Sequence, residues 1–555
     1  PMTDPDYNLL DEAWIPVRLL DGSVEKMGLL DVFRNTNEIA DLACELPTQK
    51  IAIQRILLAV CYRVTSLKSV KEWKRQWAAG APTEEAIAYL ERWRDRFFLF
   101  GGDYPFMQAP GLWTRSGDIK MLDVLIADVP NNKRLFSMRH GKAIESIPPS
   151  EAAMWIVHAH AFDVSGIHSA AVDDSHSSGP RGFGIGPSWC GQNLIVLLKG
   201  DNLDETLVLN LVPRNHGGLK SRSSDDPGQG CTWEDASIET GDRIVLGKQQ
   251  LNVDDISVPR LLTWHSRRVR LFGGRSGVTG AICCQGDELK GRNMFHYEPM
   301  GAWRYNLDTS KKFRTPVYTP VPVNIGRAFW RDVPAVLHSV AEVEGVKGMK
   351  QRAYRSPAVV DFYYEADFES LPDFPPRVRM EAFGMKYGSN QSVYGDSYND
   401  ELPLSSALLK KGSDALGSLV ESQVHCAEEL ANALGRFAAN LARAAGQSGE
   451  GAGDGARSRA REQFFALVDD PFRRWLARLD GDSDVDAVRG EWHEELRRIV
   501  RLLVKRLVDE APASATIGRE TKGGFMSVGI AENILWAAVN KTIPRTEDQV
   551  KEGEK

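Results

Sequence analysis

A change of hydrophobic period near Pro403 constrains this chain more than any single motif. Beyond it, Leu416, Leu419, Leu430, Leu434, Phe437 and Leu441 recur at helical spacing. The run GQSGEGAGDGA at 446–456 then interrupts the pattern as a flexible connection. A second helical region carries Phe464, Val468, Trp475 and Leu479 and is expected to bend or divide at Pro471. A third sets Trp492, Leu496, Ile499, Leu503 and Leu507 on one face, and a shorter apolar segment at 534–539 completes the set. Four amphipathic segments with no strand between them predict a C-terminal four-helix bundle of roughly 150 residues.

The preceding 400 residues read differently. Residues 51–64, IAIQRILLAVCYRV, carry a broad apolar helical face, Pro82 with Glu84 and Glu85 opens a second helix, and 150–160 predicts a third. Residues 8–18, NLLDEAWIPVR, predict a short strand near a sheet edge. Further strands are expected at NLIVLL from Asn193, TLVLNL from Thr206 and AVVDFYY from Ala358. Long irregular loops separate them, so the fold class is α+β: a large mixed α/β domain over 1–400, then the bundle over 401–555. A chain of 555 residues exceeds what one hydrophobic core usually supports, which agrees with two domains.

A net charge of −7, from 68 basic and 75 acidic residues, excludes a protein that coats nucleic acid by bulk attraction. Any such binding is local or shared with basic partners. The opening PMTDPDYNLLDEAW has neither a positive leader nor an apolar leader core, and no stretch is apolar for long enough to span a membrane. The expectation is a soluble cytoplasmic protein whose seven irregularly spaced cysteines are reduced.

Active-site patterns fail one after another. Gly182, Gly184 and Gly186 lack dinucleotide-fingerprint spacing, and no GxxxxGK[ST] loop occurs. Ser188 in GPSWC misses the last position of the GxSxG elbow, and Cys190 has no evident histidine partner. His158 and His160, two apart on a helix, diverge and do not share a metal. Asp173, Asp174 and His176 sit in a polar loop where a cation site for a nuclease is the alternative to a solvated turn. Cys283 and Cys284 have no second pair to finish a zinc site. The expectation is a non-enzyme without cofactor or metal.

Binding features remain. In the loop at 179–192, GPRGFGIGPSWCGQ, the glycines allow close approach of main chain to a phosphate or shallow groove. Basic residues interleave with rings in WHSRRVR at 264–270, in FHYEPMGAWRYNLDTSKKFR at 295–314 and in QRAYRS at 351–356. Such residues meet phosphates and stack bases, although ordinary charged strands look similar. NNKRLFSMRHGK at 131–142 sets Arg134, Arg139 and other basic residues around Phe136 and is the best single candidate for contact with single-stranded RNA.

Motif order says more than any one motif. LLDEAWIPV, YPFMQ at 104–108, the RLFS loop, the glycine-rich segment followed by GQNLIVLLKGDNLDETLVLNL, and the late YGSNQS before a helical C-terminus resemble the large subunit of the type I-E CRISPR surveillance complex, Cascade, of the CasA family. The resemblance covers nearly the whole chain.

It implies a subunit that does not cut DNA. Its expected partners are the CRISPR RNA 5′ handle, double-stranded target DNA with its flanking motif, the backbone and small Cascade subunits, and a separate helicase-nuclease recruited to it; no membrane is involved. Phe136, with Arg134 and Arg139, resembles the loop that contacts the guide handle and the backbone subunits. Gly186, Pro187, Ser188, Trp189 and Gly191 resemble the glycine loop laid against the flanking duplex, where a close backbone in the minor groove would tolerate several motifs. Gln391 and Ser392 resemble the wedge that separates the first base pairs. A lysine finger belongs to the pattern, and Arg304, Lys311 and Lys312 all stand in its region. Two departures are the lone Cys283-Cys284 pair, where relatives carry paired cysteines, and the acidic Asp173-Asp174, which repels DNA unless it faces a basic partner.

Overall fold

Fifteen consecutive residues of one helix, Thr48 to Tyr62 within Pro47–Thr65, are buried, and the rest of the first unit is laid around that rod. A helix buried on every side belongs to the interior, and its polar residues need partners there. It packs against the Pro149–Phe162 helix and the Val258–Leu262 turn of helix. Its two inward charges are matched. Lys50 meets Asp41 and Glu381, each at 2.7 Å, and Arg55 grips Glu298 through two parallel bonds of 2.8 and 2.9 Å. The computed structural model describes residues 4–127, 145–166, 168–235, 241–253, 255–366 and 374–544.

By contact density the chain divides into two compact units, Pro1–Arg327 with His338–Glu401, and Ala328–Leu337 with Leu402–Lys555. In the first, Ile195–Lys199, buried at every position, pairs antiparallel with Arg377–Tyr387, which pairs in turn with Tyr394–Ser405. The last two form a long hairpin whose tip is 388–393. A second hairpin joins Arg267–Gly274 to Gly277–Gln285. The predicted strand at 8–18 is two short strands, and the Ile15–Leu19 part lies in the centre of a three-stranded sheet, not at its edge, between Val24–Met27 and Ile39–Leu42.

Two expected strands are helices. Leu203–Leu209 starts at Asn202, whose side chain accepts from the Glu205 amide at 2.9 Å, and Ala358–Glu365 follows Pro357. Both are short apolar runs, for which alternation does not separate strand from buried helix. A cap and a preceding proline decided them.

The second unit contains the expected bundle: Asp414–Ala444, Asp454–Arg478, Val485–Asp509 and Val528–Thr542. The first of these packs on each of the other three. Asp454–Arg478 runs unbroken through Pro471. Trp330 from the inserted segment is fully buried there, stacked 4.4 Å from Phe472 and donating to Asp469 at 2.9 Å. Among the described residues no helix is long and apolar enough to cross a membrane.

Candidate nucleic-acid interface

Asp163 is where the site begins. The Pro149–Phe162 helix ends there, and the main chain at Asp163, Ser165 and His168 bonds to the glycine-rich loop and the hairpin tip. The loop hangs on this stretch by main-chain bonds from the Gly182 amide to the His168 carbonyl at 2.8 Å and from the Ser188 amide to the Asp163 carbonyl at 2.9 Å. The tip hangs on it through the Ser165 amide, which donates to the Gln391 carbonyl at 2.8 Å.

Glycine loop and tip therefore face one open groove of about 580 Å³, whose lining includes Gly186, Pro187, Gly191, Arg304, Lys386, Tyr387 and Gln391. The two glycines differ. Gly186 has φ +93° and open space where a Cβ would stand, so its backbone is free to be approached. A Cβ on Gly191 would overlap the Tyr387 hydroxyl, which donates to the Phe162 carbonyl at 2.7 Å; that glycine lets the hairpin seat against the loop. Ser188 and Trp189 turn inward, Ser188 donating to the Ala159 carbonyl at 2.7 Å and Trp189 to Glu298 at 2.6 Å.

At the tip, Asn390 and Gln391 both adopt left-handed φ, +52° and +56°, and Gln391 and Ser392 are exposed. Arg304 and Lys386 are exposed too, and among the described residues neither side chain has a hydrogen-bond or ion-pair partner. Lys290 and Arg292 also line the groove, but Lys290 donates to the Leu246 carbonyl at 2.8 Å and Arg292 covers the Phe313 ring. Lys311 and Lys312 are exposed on the Leu307–Phe313 helix and are not among the groove's lining residues. Arg134, Phe136 and Arg139 lie outside the described residues.

Other sequence candidates resolve into packing. In WHSRRVR, Arg267 and Arg268 are buried and bond inward, which removes them from direct contact with nucleic acid. Asp174 is buried against Arg243, with both carboxylate oxygens 3.2 Å from the guanidinium, and it also accepts from Ser177 at 2.6 Å. Burial alone would raise its pKa, but Ser177 and Arg243 outweigh that and hold it below the usual carboxylate range. A cation there would have to displace a buried arginine, so Asp174 has a basic partner within its own chain, whereas the exposed Asp173 accepts from the Gly241 amide at 2.9 Å. Cys190 is buried, its thiol pushed up to about 12 by burial, so it offers no thiolate nucleophile. Cys283 and Cys284 point to opposite faces of their strand. Cys284 packs with Ala109, Leu112, Ala171 and Ile282.

Cys283 instead joins Asp163 and His168, three groups whose ligand atoms lie within 4.8 Å of one another. Arg267 already bonds the same Asp163 oxygen that lies 2.9 Å from His168 Nε2. Burial disfavours charge on His168, yet the Asp163 carboxylate raises its pKa to about 10, leaving a protonated imidazole and a guanidinium around one carboxylate. That is a charge cluster already saturated with cations, a poor seat for a metal.

The sequence profile of the family described as CRISPR-associated protein Cse1 matches residues 8–503. The chain belongs to this family. It is 28% identical over 516 residues to the CRISPR-associated protein CasA/Cse1 of Thermus thermophilus, covering 88% of this chain and 90% of that one. The crystal structure of Thermobifida fusca Cse1 superposes with a TM-score of 0.85 at 31% identity, covering 97% of this chain and 98% of the other. Cse1 from Acidimicrobium ferrooxidans superposes with a TM-score of 0.80 at 25% identity, over 98% and 100%. Cse1, or CasA, is the large subunit of a type I CRISPR Cascade complex, a non-catalytic subunit that recognises DNA and its protospacer-adjacent motif.

Sequence reasoning missed Lys386, the part that Tyr387 plays within the quoted YGSNQS run, and the whole Asp163–Arg267 mount. The only sequence signal for Lys386 was its place one residue before the YGSNQS run.

Proposed function

We propose that the groove holds the duplex that flanks the target, minor groove inward, against the unobstructed main chain at Gly186. Arg304, ahead of Lys311 and Lys312, supplies the cationic finger, with Lys386 beside it, because these two charges line the groove and have no partner among the described residues. Gln391 then enters the base stack from the tip, its amide bonding base edges and offsetting an unstacking cost of about a few kcal/mol. The loop with Arg134, Phe136 and Arg139 holds the guide handle. The mixed unit, residues 1–400, reads DNA in the cytoplasm. The Phe136 loop also meets the backbone subunits, and the whole chain, which meets the small subunits as well, serves as platform for a helicase-nuclease.

The observation that carries this reading is the sharing of one groove by Gly186, Arg304 and Gln391, far apart in sequence. The test uses the reconstituted guide-bearing complex and a target with 2-aminopurine beside the flanking motif. Gln391→Ala is expected to lower the fluorescence rise several-fold while guide assembly stays intact. Equal opening by the variant sinks the wedge, and target binding indifferent to the flanking motif leaves only a scaffold.

A further inference from the structure

We infer that Arg267, buried behind the glycine loop and itself out of reach of DNA, is a positioning residue that ties the glycine loop and the hairpin tip to one mount and so sets discrimination of the flanking motif. The inference rests on the reading just given. Its guanidinium is inaccessible and makes a fan of bonds: to the Asp163 carboxylate, to the Val164 carbonyl at 2.7 Å and to the Gly186 carbonyl at 3.0 Å. The last acceptor belongs to the residue offered to DNA.

The same carboxylate serves the hairpin, accepting from the Tyr394 hydroxyl at 3.1 Å, while Ser165, two residues on, carries the Gln391 carbonyl. A minor-groove reader made of main chain has no side-chain rotamer to adjust, so its selectivity depends on how firmly that main chain is held. Among the described residues, Arg267 is the side chain that bonds both the glycine loop and the segment bearing the tip. Its planar fork is what permits several acceptors at once, and a lysine ammonium in the same space keeps the charge without the reach.

The discriminating experiment is Arg267→Lys in the full guide-bearing complex, with equilibrium binding to targets with and without the flanking motif. We expect guide assembly and far-ultraviolet circular dichroism like wild type, and a ratio of the two affinities that falls by about tenfold. A lowered melting temperature with an unchanged ratio marks a merely structural arginine and overturns the inference. Should Arg267→Lys fail to fold, Tyr394→Phe decides. Loss of that one hydroxyl is expected to lower the ratio by about threefold, and full retention overturns the proposal. A wild-type complex without motif dependence defeats the functional reading itself, whereas motif dependence retained in both variants defeats only this inference.

Discussion

Two glycines five residues apart have opposite duties. Gly191→Ala drives a methyl group into the Tyr387 hydroxyl and should cost about 1–3 kcal/mol of stability in urea melts. Gly186→Ala meets no atom, and its cost, about 1–2 kcal/mol, is the left-handed backbone alone. The free cations are separable in a similar way. Arg304→Ala and Lys386→Ala should each lower the salt slope of target binding by about 1, and Lys311→Ala should leave it unchanged. Buried histidines set the pH response. Burial pushes His158 and His160 down to about 4, so both are neutral in the fold and take up protons on unfolding below the ordinary histidine value. Their contribution is present above that value and lost as pH falls toward about 4. His168, raised to about 10, contributes fully below the ordinary histidine value and loses its contribution as pH rises through about 10. Urea midpoints should therefore fall between pH 7 and pH 4.5, and His158→Gln should flatten that slope.

At the scale of elements, the long hairpin is anchored midway along its length by charge. Glu381, midway along its first strand, accepts from Lys50 at 2.7 Å and from Asn399 at 2.9 Å and lies 3.4 Å from Lys199. Glu381→Ala leaves two buried ammonium groups short of a counter-charge and should cost about 3 kcal/mol, with faster hydrogen exchange along Arg377–Tyr387. None of that anchoring was legible in the sequence, where Lys50 and Glu381 are separated by 331 positions. What was legible followed from local rules: the bundle helices from their period, the Pro47–Thr65 helix from its apolar face, and the Thr83–Arg92 helix from Pro82 and the acids that follow it. The runs at Thr206 and Ala358 misled because a few consecutive apolar residues suit a buried helix and a strand equally. The site was half legible. The Gly186 loop and Gln391 were named from motif resemblance, but WHSRRVR left phosphate contact and an ordinary charged strand both open, and Arg267 is an inward strut, since a residue's charge carries no direction in the sequence.

At the scale of the whole molecule, the helical unit is completed from elsewhere in the chain. Trp330 fills its core and Arg331 pairs with Glu428 at 2.7 Å, both from the Ala328–Leu337 segment that precedes the bundle by more than sixty positions. Trp330→Ala removes a fully buried ring and should cost about 3–5 kcal/mol. A fragment beginning at Leu402 should accordingly melt well below the same helices in the full chain, read by circular dichroism. Module exchange between relatives inherits the same constraint. A chimera joined only at 401/402 would graft a foreign bundle onto a native Trp330 strip cut for different neighbours, so a faithful swap has to carry both pieces of sequence together.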